Sequence, residues 1–256
     1  MRPTPIAVFD SGLGGLSVLR ELRRQMPSEH FLYFGDSCHA PYGSRPTEEI
    51  RALTFRAAEQ LFAQGAKALV VACNTATAAA IDELRAAYPE KIVIGIEPAL
   101  KLAVERHPHG RIAVMATEAT LREQKFALLL ERYAADCCIL KCPCADLVAF
   151  VERGELSGPA LEAGLRRDLR QCLERPVDAV VLGCTHYPFL CRAITRVLGE
   201  CTELLDGAEG TARETLRRLE ERGLLCSTGT GSVTITNSLG TEEILERSCF
   251  LLETEL

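Results

Sequence analysis

The chain lacks the features that mark nucleic-acid-binding and membrane proteins. Its 29 Lys and Arg residues are outnumbered by 35 Asp and Glu residues, which leaves a net charge of −6. Since nucleic-acid binding depends on clustered Lys and Arg against phosphates, this balance argues against a nucleic-acid partner. No stretch approaches the roughly 20 apolar residues that a membrane-spanning helix requires. We therefore expect neither a nucleic acid nor a membrane as a partner.

The beginning of the chain also lacks a targeting signal. Its first apolar run covers only residues 6–9, whereas the core of a signal peptide needs about 7–15 apolar residues. We therefore expect a cytoplasmic protein. In that compartment the twelve cysteines should stay reduced, because glutathione and thioredoxin systems keep thiols free. Most of them should be small buried apolar residues.

Short apolar runs and amphipathic helical patterns alternate along the chain. Strands are predicted at residues 6–9, 30–34, 68–72, 91–96, 111–115, 137–141, 179–182 and 203–205, with a weaker one at 232–236. Among the helical patterns, Leu161, Leu165, Leu169 and Leu173 predict one continuous helix, and Gly223 is predicted to end another. This alternation predicts an α/β fold with mostly parallel sheets flanked by helices.

A weak internal repeat divides the chain. The segment from Ile6 to Ser11 resembles the segment from Ile112 to Thr117, and Cys73 aligns with Cys184 at a nearly equal offset. Two pairs of similar segments at nearly equal spacing predict two pseudosymmetric lobes with the active site in the cleft between them. We expect residues 1–97 with 207–256 to form the first lobe and residues 98–206 to form the second.

The polar residues that follow the predicted strands are the candidates for a site, because ligands of open α/β sheets bind beyond the carboxyl ends of the strands. These residues are Asp10, Ser11, Cys73, Asn74, Thr75, Thr117, Thr120, Cys184, Thr185 and His186. They supply two thiols, a carboxylate, an imidazole and several hydroxyl groups. No Lys is among them, which disfavours Schiff-base or pyridoxal chemistry. We expect no cofactor.

The two cysteines at strand ends are the strongest catalytic candidates. A buried cysteine usually only fills space. Cys73 and Cys184, however, each end an apolar strand and each has a threonine close behind it, Thr75 and Thr185. Because a helix is predicted after each strand, we expect the helix N-termini to favour the thiolate form. Two such thiols facing one substrate are suited to moving a proton.

Two further readings of the sequence compete with this interpretation. Cysteines 137, 138, 142 and 144 form the densest cluster, but their spacing fits no common zinc pattern and no histidine follows closely. We therefore expect no metal site.

Gly12 and Gly14 follow the first strand as in a dinucleotide-binding loop, yet the third glycine position holds Ser17, and an incomplete fingerprint is weak evidence.

Four segments resemble the signature segments of the glutamate racemases. They are Asp10-Ser11-Gly12, Pro41-Tyr42-Gly43, Ala72-Cys73-Asn74-Thr75 and Gly183-Cys184-Thr185-His186-Tyr187-Pro188. They occur in the order found in that family, and the resemblance covers residues 6–206. It implies a cofactor-independent enzyme that supplies D-glutamate for bacterial peptidoglycan. It also implies two α/β lobes with the site between them and a homodimer.

The resemblance implies roles for individual residues. Cys73 and Cys184 match the paired bases, and Asp10 and His186 match the positions that assist them. We hypothesise that Asp10 assists Cys73 and that His186 assists Cys184, by hydrogen bonding or proton relay. Glu152 matches a third acid that assists the thiols. The alternative interpretation is that Glu152 is an exposed glutamate on a helix without a catalytic role. The substrate-binding positions are Asp10, Ser11, Pro41, Tyr42, Gly43, Asn74, Thr75, Thr117, Thr120, Thr185 and His186.

Other functions remain open from the sequence. An aspartate or hydantoin racemase of the same superfamily would use the same two thiols on a different acid. A single-thiol decarboxylase is disfavoured, because both cysteines are present. From another class, a non-catalytic thiol or metal-binding protein would bind stoichiometric zinc and exchange no proton with a substrate.

Overall fold

The structure is a computed structural model that describes residues 4–122, 124–133 and 137–256. The strands of this part of the chain are Ile6–Asp10 (β1), His30–Gly35 (β2), Ala68–Val71 (β3), Ile92–Gly95 (β4), Arg111–Ala116 (β5), Cys138–Pro143 (β6), Ala179–Leu182 (β7), Glu203–Asp206 (β8) and Ser232–Asn237 (β9). The α-helices are Leu16–Gln25 (α1), Thr47–Ala63 (α2), Asn74–Ala87 (α3), Leu100–Arg106 (α4), Glu118–Arg122 (α5), Gln124–Tyr133 (α6), Leu147–Glu152 (α7), Pro159–Asp168 (α8), Arg170–Glu174 (α9), Cys191–Leu198 (α10), Ala208–Glu221 (α11) and Glu242–Glu253 (α12). Among these helices, none is long and apolar enough to cross a membrane.

The strands form two parallel sheets with the same internal order. The first sheet runs β4-β3-β1-β2-β9 and the second runs β6-β5-β7-β8. Read in reverse, the second sheet has the order β8-β7-β5-β6, which corresponds to the order β4-β3-β1-β2 in the first sheet. The register repeats as well, since Ile6 pairs with Ala68 in one sheet and Ile112 pairs with Ala179 in the other. The predicted α/β fold with two helix-flanked parallel sheets is confirmed.

The central strands are buried on both faces, as is typical of parallel sheets covered by helices. Every residue of β1, β3 and β7 is buried. One cluster of buried apolar side chains contains Val8 of the first sheet together with Met115 and Leu182 of the second. The apolar cores of the two sheets are therefore continuous, and this continuity holds the strand ends of both sheets in one place.

The chain returns to the first sheet after it completes the second. Strand β9 pairs with β2 along its full length, from His30 opposite Ser232 to Gly35 opposite Asn237. Helix α11 packs on α1, and α12 packs on both α1 and β9. Gly223 follows the end of α11 with φ +63, the left-handed conformation that the sequence predicts for a residue ending a helix. The C-terminal segment thus belongs to the layer around β1 and β2.

The helix predicted across residues 161–173 is interrupted. It consists of α8 and α9, which meet at Leu169, where φ is −101 and ψ is 17. Leu161, Leu165 and Leu169 are buried, whereas Leu173 is 40% exposed and Cys172 is buried in its place. The regular spacing of apolar residues indicates which face of a helical segment is buried. It does not require the backbone to continue as one helix. The prediction of a single helix was wrong for this reason.

All twelve cysteines lie within the described residues, and none forms a disulfide. Six are buried, two are partly buried and four are exposed. The expectation that most are buried is therefore met by only half of them. The exposed ones, Cys38, Cys138, Cys201 and Cys249, lie outside the apolar cores.

We predict that Leu69→Ala lowers the free energy of unfolding by about 2–5 kcal/mol, because Leu69 is fully buried in β3 and truncation leaves a cavity. Leu128→Ala is the matched control, since Leu128 is 58% exposed on α6; its effect should stay within about 0.5 kcal/mol. Urea unfolding of both variants measures the difference. Equal effects would contradict the assignment of Leu69 to the core.

Candidate active site

Polar residues at the ends of four strands meet in one place. Asp10 ends β1, Cys73 follows β3, Thr117 follows β5, and Cys184 lies just beyond β7. Hydrogen bonds join the two sheets there, because Thr75 Oγ1 lies 3.1 Å from Thr117 Oγ1 and Thr185 Oγ1 donates to Asp10 Oδ2 at 3.0 Å. Cys73 and Cys184 are buried, with exposed fractions of 5% and 8%. These contacts bring together the strand ends that carry the two thiols.

Cys73 is held by hydrogen bonds from within its own lobe. It occupies the N-cap of α3, where its Sγ accepts a hydrogen bond from the Ala76 N–H at 3.4 Å. The Sγ also donates to Ser11 Oγ at 3.4 Å. Burial raises the pKa of Cys73 to about 12, the charge of Asp10 raises it as well, and the two hydrogen bonds only partly oppose this. The Ala76 N–H at the start of α3 favours the thiolate, as expected, but burial outweighs it and favours the neutral thiol of Cys73.

Cys184 has different neighbours. No α-helix begins directly behind it; a 3₁₀ turn at Tyr187–Leu190 follows, and α10 begins only at Cys191. Instead, His186 Nδ1 lies 3.6 Å from Cys184 Sγ. The other ring nitrogen, Nε2, lies 2.6 Å from Glu152 Oε1. A thiol, an imidazole and a carboxylate therefore form a chain, an arrangement that activates nucleophiles and bases in many enzymes.

His186 and Glu152 form a buried ion pair. Burial acts to lower the pKa of His186, but hydrogen bonds with Cys184 and Glu152, together with their charges, raise it well above its usual range. For Glu152, burial acts to raise the pKa, yet the hydrogen bond and charge of His186 lower it below its usual value. The side chains are 4% and 17% exposed. These pKa shifts favour the protonated imidazole and the ionised carboxylate.

Asp10 links the two lobes through its carboxylate. One oxygen accepts from the Gly12 N–H at 2.9 Å, and the other accepts from Thr185 Oγ1 at 3.0 Å. Burial raises the pKa of Asp10, and the charge of His186 opposes this shift. These hydrogen bonds run toward Thr185, next to Cys184. Asp10 acts on Cys73 through its charge.

Three threonine hydroxyls from both lobes form a closed triangle. Thr75 Oγ1 lies 3.1 Å from both Thr117 Oγ1 and Thr120 Oγ1, and the last two are 3.0 Å apart. Each hydroxyl has one proton to donate and lone pairs to accept with. Beside them, Asn74 is buried, and neither atom of its amide has a hydrogen-bond partner among the described residues. A cavity of about 150 Å³ is lined by Asn74 and Thr120 among others.

The segment predicted from Pro41 to Gly43 lies beside this cluster. Tyr42 is buried and its hydroxyl donates to Asp36 Oδ2 at 2.8 Å. Gly43 lies against Thr117, since a Cβ on Gly43 would be 2.9 Å from the Thr117 Cβ. Pro41 differs from these two, because it is exposed. The structure therefore places the tyrosine and the glycine, but not the proline, against buried parts of the cleft.

The glycines after β1 serve a purpose that the sequence does not reveal. A Cβ on Gly12 would overlap Glu152 Oε1, and one on Gly14 would overlap the ring of His186 and Thr185 Oγ1. The main chain beside Gly12 also binds the ion pair, since the Leu13 N–H donates to Glu152 Oε1 at 2.7 Å. This loop is therefore free of side chains so that it can approach the His186–Glu152 pair, which explains an incomplete dinucleotide fingerprint.

Two supporting residues were missed from the sequence. Tyr33 is fully buried in β2, and its hydroxyl donates to the Gly12 carbonyl at 2.7 Å. Ser17 Oγ donates to the Gly14 carbonyl at 2.8 Å and lies 3.0 Å from the Thr185 carbonyl. Both hold the glycine loop from residues that look like ordinary strand and helix positions. No local signal distinguishes them.

The residues that the structure describes include no group of three or more His, Cys, Asp and Glu side chains arranged to hold a metal ion. Of the four cysteines between residues 137 and 144, Cys137, Cys142 and Cys144 are buried and Cys138 is exposed.

The paired sheets and their strand-end thiols fit one family of isomerases. The sequence profile of the Asp/Glu/Hydantoin racemase family matches residues 10–215. The chain belongs to this family.

Within the family, the similarity is to glutamate racemases. The chain is 49% identical over 250 residues to the glutamate racemase of Clostridium botulinum, with 97% of each chain covered. Glutamate racemase isoform RacE1 of Bacillus anthracis has a TM-score of 0.89 at 31% identity, covering 100% of this chain and 96% of its own. The Escherichia coli glutamate racemase, solved with L-glutamate and the activator UDP-MurNAc-ala, has a TM-score of 0.86 at 30% identity, covering 98% of this chain and 95% of its own. The resemblance inferred from the motifs is confirmed, and it extends beyond residue 206.

We predict that Glu152→Gln lowers the pKa of His186 toward the ordinary histidine value of about 6.5, because it removes a charge and a hydrogen bond that raise it. In the wild-type protein the ion pair contributes stability between the lowered pKa of Glu152 and the raised pKa of His186, and this contribution is lost outside that window. Nitrogen NMR of the imidazole as a function of pH measures the shift.

The matched control for this titration is Glu203→Gln. Glu203 forms a comparable pair with His107 at 2.7 Å, but on the surface. This variant should leave the His186 titration unchanged. An imidazole at position 186 that is already neutral near pH 7 in the wild-type protein would contradict the ion pair.

We also predict that Gly14→Ala destabilises the protein by about 1–3 kcal/mol, since the added methyl group is forced against His186 and Thr185. The control is Gly210→Ala in α11, where nothing lies near the new methyl group. That change should be neutral or should stabilise by roughly 0.5–1 kcal/mol. Urea unfolding compares the two variants, and a neutral Gly14→Ala would disprove the close approach.

Proposed function

We propose that this chain interconverts L-glutamate and D-glutamate without a cofactor. One of Cys73 and Cys184 removes the α-proton from one face of the substrate, and the other delivers its own proton to the opposite face. The product D-glutamate supplies peptidoglycan synthesis. The observation that carries the proposal is the placement of two thiols at equivalent strand ends of two pseudosymmetric sheets. The names of the full-length relatives support glutamate as the substrate. The site would lie between lobe 1–97 with 207–256 and lobe 98–206.

The reaction needs one thiolate and one thiol on opposite faces of the α-carbon. The thiolate takes the α-proton as the C–H bond breaks, and the electron pair moves toward the α-carboxylate. The opposite thiol then gives its proton to the other face, so the two sulfurs exchange protonation states. Because the two groups act as one unit, their titration belongs to the pair.

The two thiols differ in their readiness for these roles. Burial raises the pKa of Cys73 to about 12, so Cys73 begins as the thiol. His186 Nδ1 lies 3.6 Å from Cys184 Sγ, which places the imidazole where it can exchange a proton with this thiol. We therefore propose Cys184 as the resting base and Cys73 as the resting acid, with Asp10 and Glu152 supporting the two sides.

The carboxylates of the substrate require donors in the cleft. The hydroxyls of Thr75, Thr117 and Thr120 can turn their protons from each other toward an anion. The unpaired amide of Asn74 offers two further donors and an acceptor. Such donors, fixed before the substrate binds, stabilise charge that develops on the α-carboxylate. Ser11, Tyr42, Gly43 and Thr185 complete the proposed binding surface, with Pro41 at its exposed edge.

We further propose that the protein acts as a homodimer in the cytoplasm. The twelve free cysteines suit a reducing compartment, and the homodimer follows from the family resemblance. Light scattering of the purified protein measures its mass in solution. A monomer at catalytic concentrations would contradict the dimer and leave the chemistry untouched.

The two-thiol mechanism is tested with Cys73→Ser and Cys184→Ser. We predict that each variant loses at least about 100-fold in glutamate racemisation, the scale expected for removing a group that transfers protons. Circular dichroism follows the reaction without pyridoxal phosphate. Cys201→Ser is the matched control, because Cys201 is exposed and should keep wild-type rates.

Two measurements complete this test. In D₂O the product should carry deuterium at the α-carbon, and its absence would rule out proton abstraction. A panel of aspartate, hydantoins and glutamate identifies the acid. Turnover of aspartate or a hydantoin in place of glutamate would overturn the substrate assignment, whereas near wild-type rates in either serine variant would overturn the mechanism.

A further inference from the structure

We propose that the C-terminal segment, β9 with α12, positions Glu152 for its work on His186, and that Arg247 is the residue through which it does so. This inference rests on the proposed function, because it concerns the acid–base chain at Cys184. Arg247 would act through Glu152 and would not touch the substrate.

Arg247 binds the main chain of Glu152 directly. Its Nη1 donates to the Glu152 carbonyl at 2.7 Å, and its Nη2 donates to Glu243 Oε1 at 2.5 Å. Glu152 ends α7, where backbone carbonyls have no partner inside the helix, and a cation is favoured at that end. The Arg247 side chain also runs alongside Gly154, just beyond the helix. The hydrogen bond from Arg247 therefore fixes the position of the Glu152 main chain, and with it the position from which the Glu152 side chain reaches His186.

A second contact from the same segment lies near the Glu152 carboxylate. Asn237, at the end of β9, donates from Nδ2 to Ser37 Oγ at 2.9 Å. Its Oδ1 accepts from the Leu239 N–H at 3.0 Å, which fixes the orientation of the amide. The Ser37 hydroxyl is close enough to Glu152 to help lower the pKa of its carboxyl group. The segment formed by β9 and α12 thus binds the main chain of Glu152 and also positions a hydroxyl near its side chain.

Helix α12 is a firm support for these contacts. Its N-cap, Thr241, accepts a hydrogen bond from the Ile244 N–H, and Ile244, Ser248 and Leu251 are buried on one face. That face packs on α1 and β9. Because Arg247 lies on this helix and Glu152 lies in the other lobe, the contact joins the C-terminal segment to the acid–base chain at Cys184.

The experiment compares Arg247→Ala in two backgrounds, wild type and Glu152→Gln. We expect Arg247→Ala to lower kcat on the order of tenfold, with little change in KM, because a displacement of about 1 Å can reduce a rate by ~100-fold. In the Glu152→Gln background the same change should have less than about a twofold effect, since coupled residues are not additive. Arg247→Lys, which keeps one donor, should restore most of the rate.

Arg217→Ala is the matched control, because Arg217 forms exposed ion pairs with Glu214 and Glu221 on α11 and lies outside the site. It should keep wild-type rates in both backgrounds. The His186 titration adds a readout that does not depend on turnover: Arg247→Ala should move it to lower pH. If Arg247→Ala does not fold, Asn237→Ala tests the second contact with the same measurements.

Three outcomes would overturn the inference. They are an unchanged kcat in Arg247→Ala, an equal loss in both backgrounds, and an unchanged His186 titration. An equal loss would mean that Arg247 supports the fold but does not act through Glu152. A wild-type protein that fails to racemise glutamate would instead overturn the proposed function, and the His186 titration would then decide the role of Arg247 by itself.

Discussion

The buried ion pair between His186 and Glu152 is the interaction on which the cleft depends. Removing two charges from water is offset only when further hydrogen bonds satisfy them. Here the Leu13 N–H supplies one, from the opposite lobe. That approach is possible only because Gly12 and Gly14 have no side chains. The pair therefore requires both lobes in one relative placement, and the same placement brings the two thiols together.

The duplicated scaffold holds two different chemical environments. The strand order and register repeat between the sheets, yet Cys73 is surrounded by a hydroxyl and a main-chain N–H, whereas Cys184 faces the imidazole of His186. Opposite faces of an amino acid present different groups to the enzyme. Unlike neighbours on a repeated backbone fit the proposed mechanism, in which the two thiols start from different protonation states.

Much of the fold and the centre of the site could be predicted from the sequence, because strands and the residues at their ends are local patterns. Cys73 and Cys184 are found in this way. The contacts that tune them are not local: Glu152 is 139 residues from Leu13, and Arg247 is 95 residues from Glu152. The break at Leu169 was missed because an apolar period records burial alone. The pKa of Cys73 could not be predicted either, since desolvation depends on the assembled core.

The unpaired amide of Asn74, proposed above as a donor to the substrate, would place stability and function in opposition. A buried polar group without a partner costs about 1–3 kcal/mol, and both amide atoms of Asn74 lack one among the described residues. A ligand that forms hydrogen bonds with these two atoms recovers this free energy on binding. Part of the affinity for that ligand therefore comes from the lower stability of the ligand-free protein. An apolar side chain of similar shape at position 74 would give a more stable protein with a lower affinity for that ligand. Sequences selected for thermal stability alone would therefore drift away from asparagine here, which makes this position a marker of continued selection for binding.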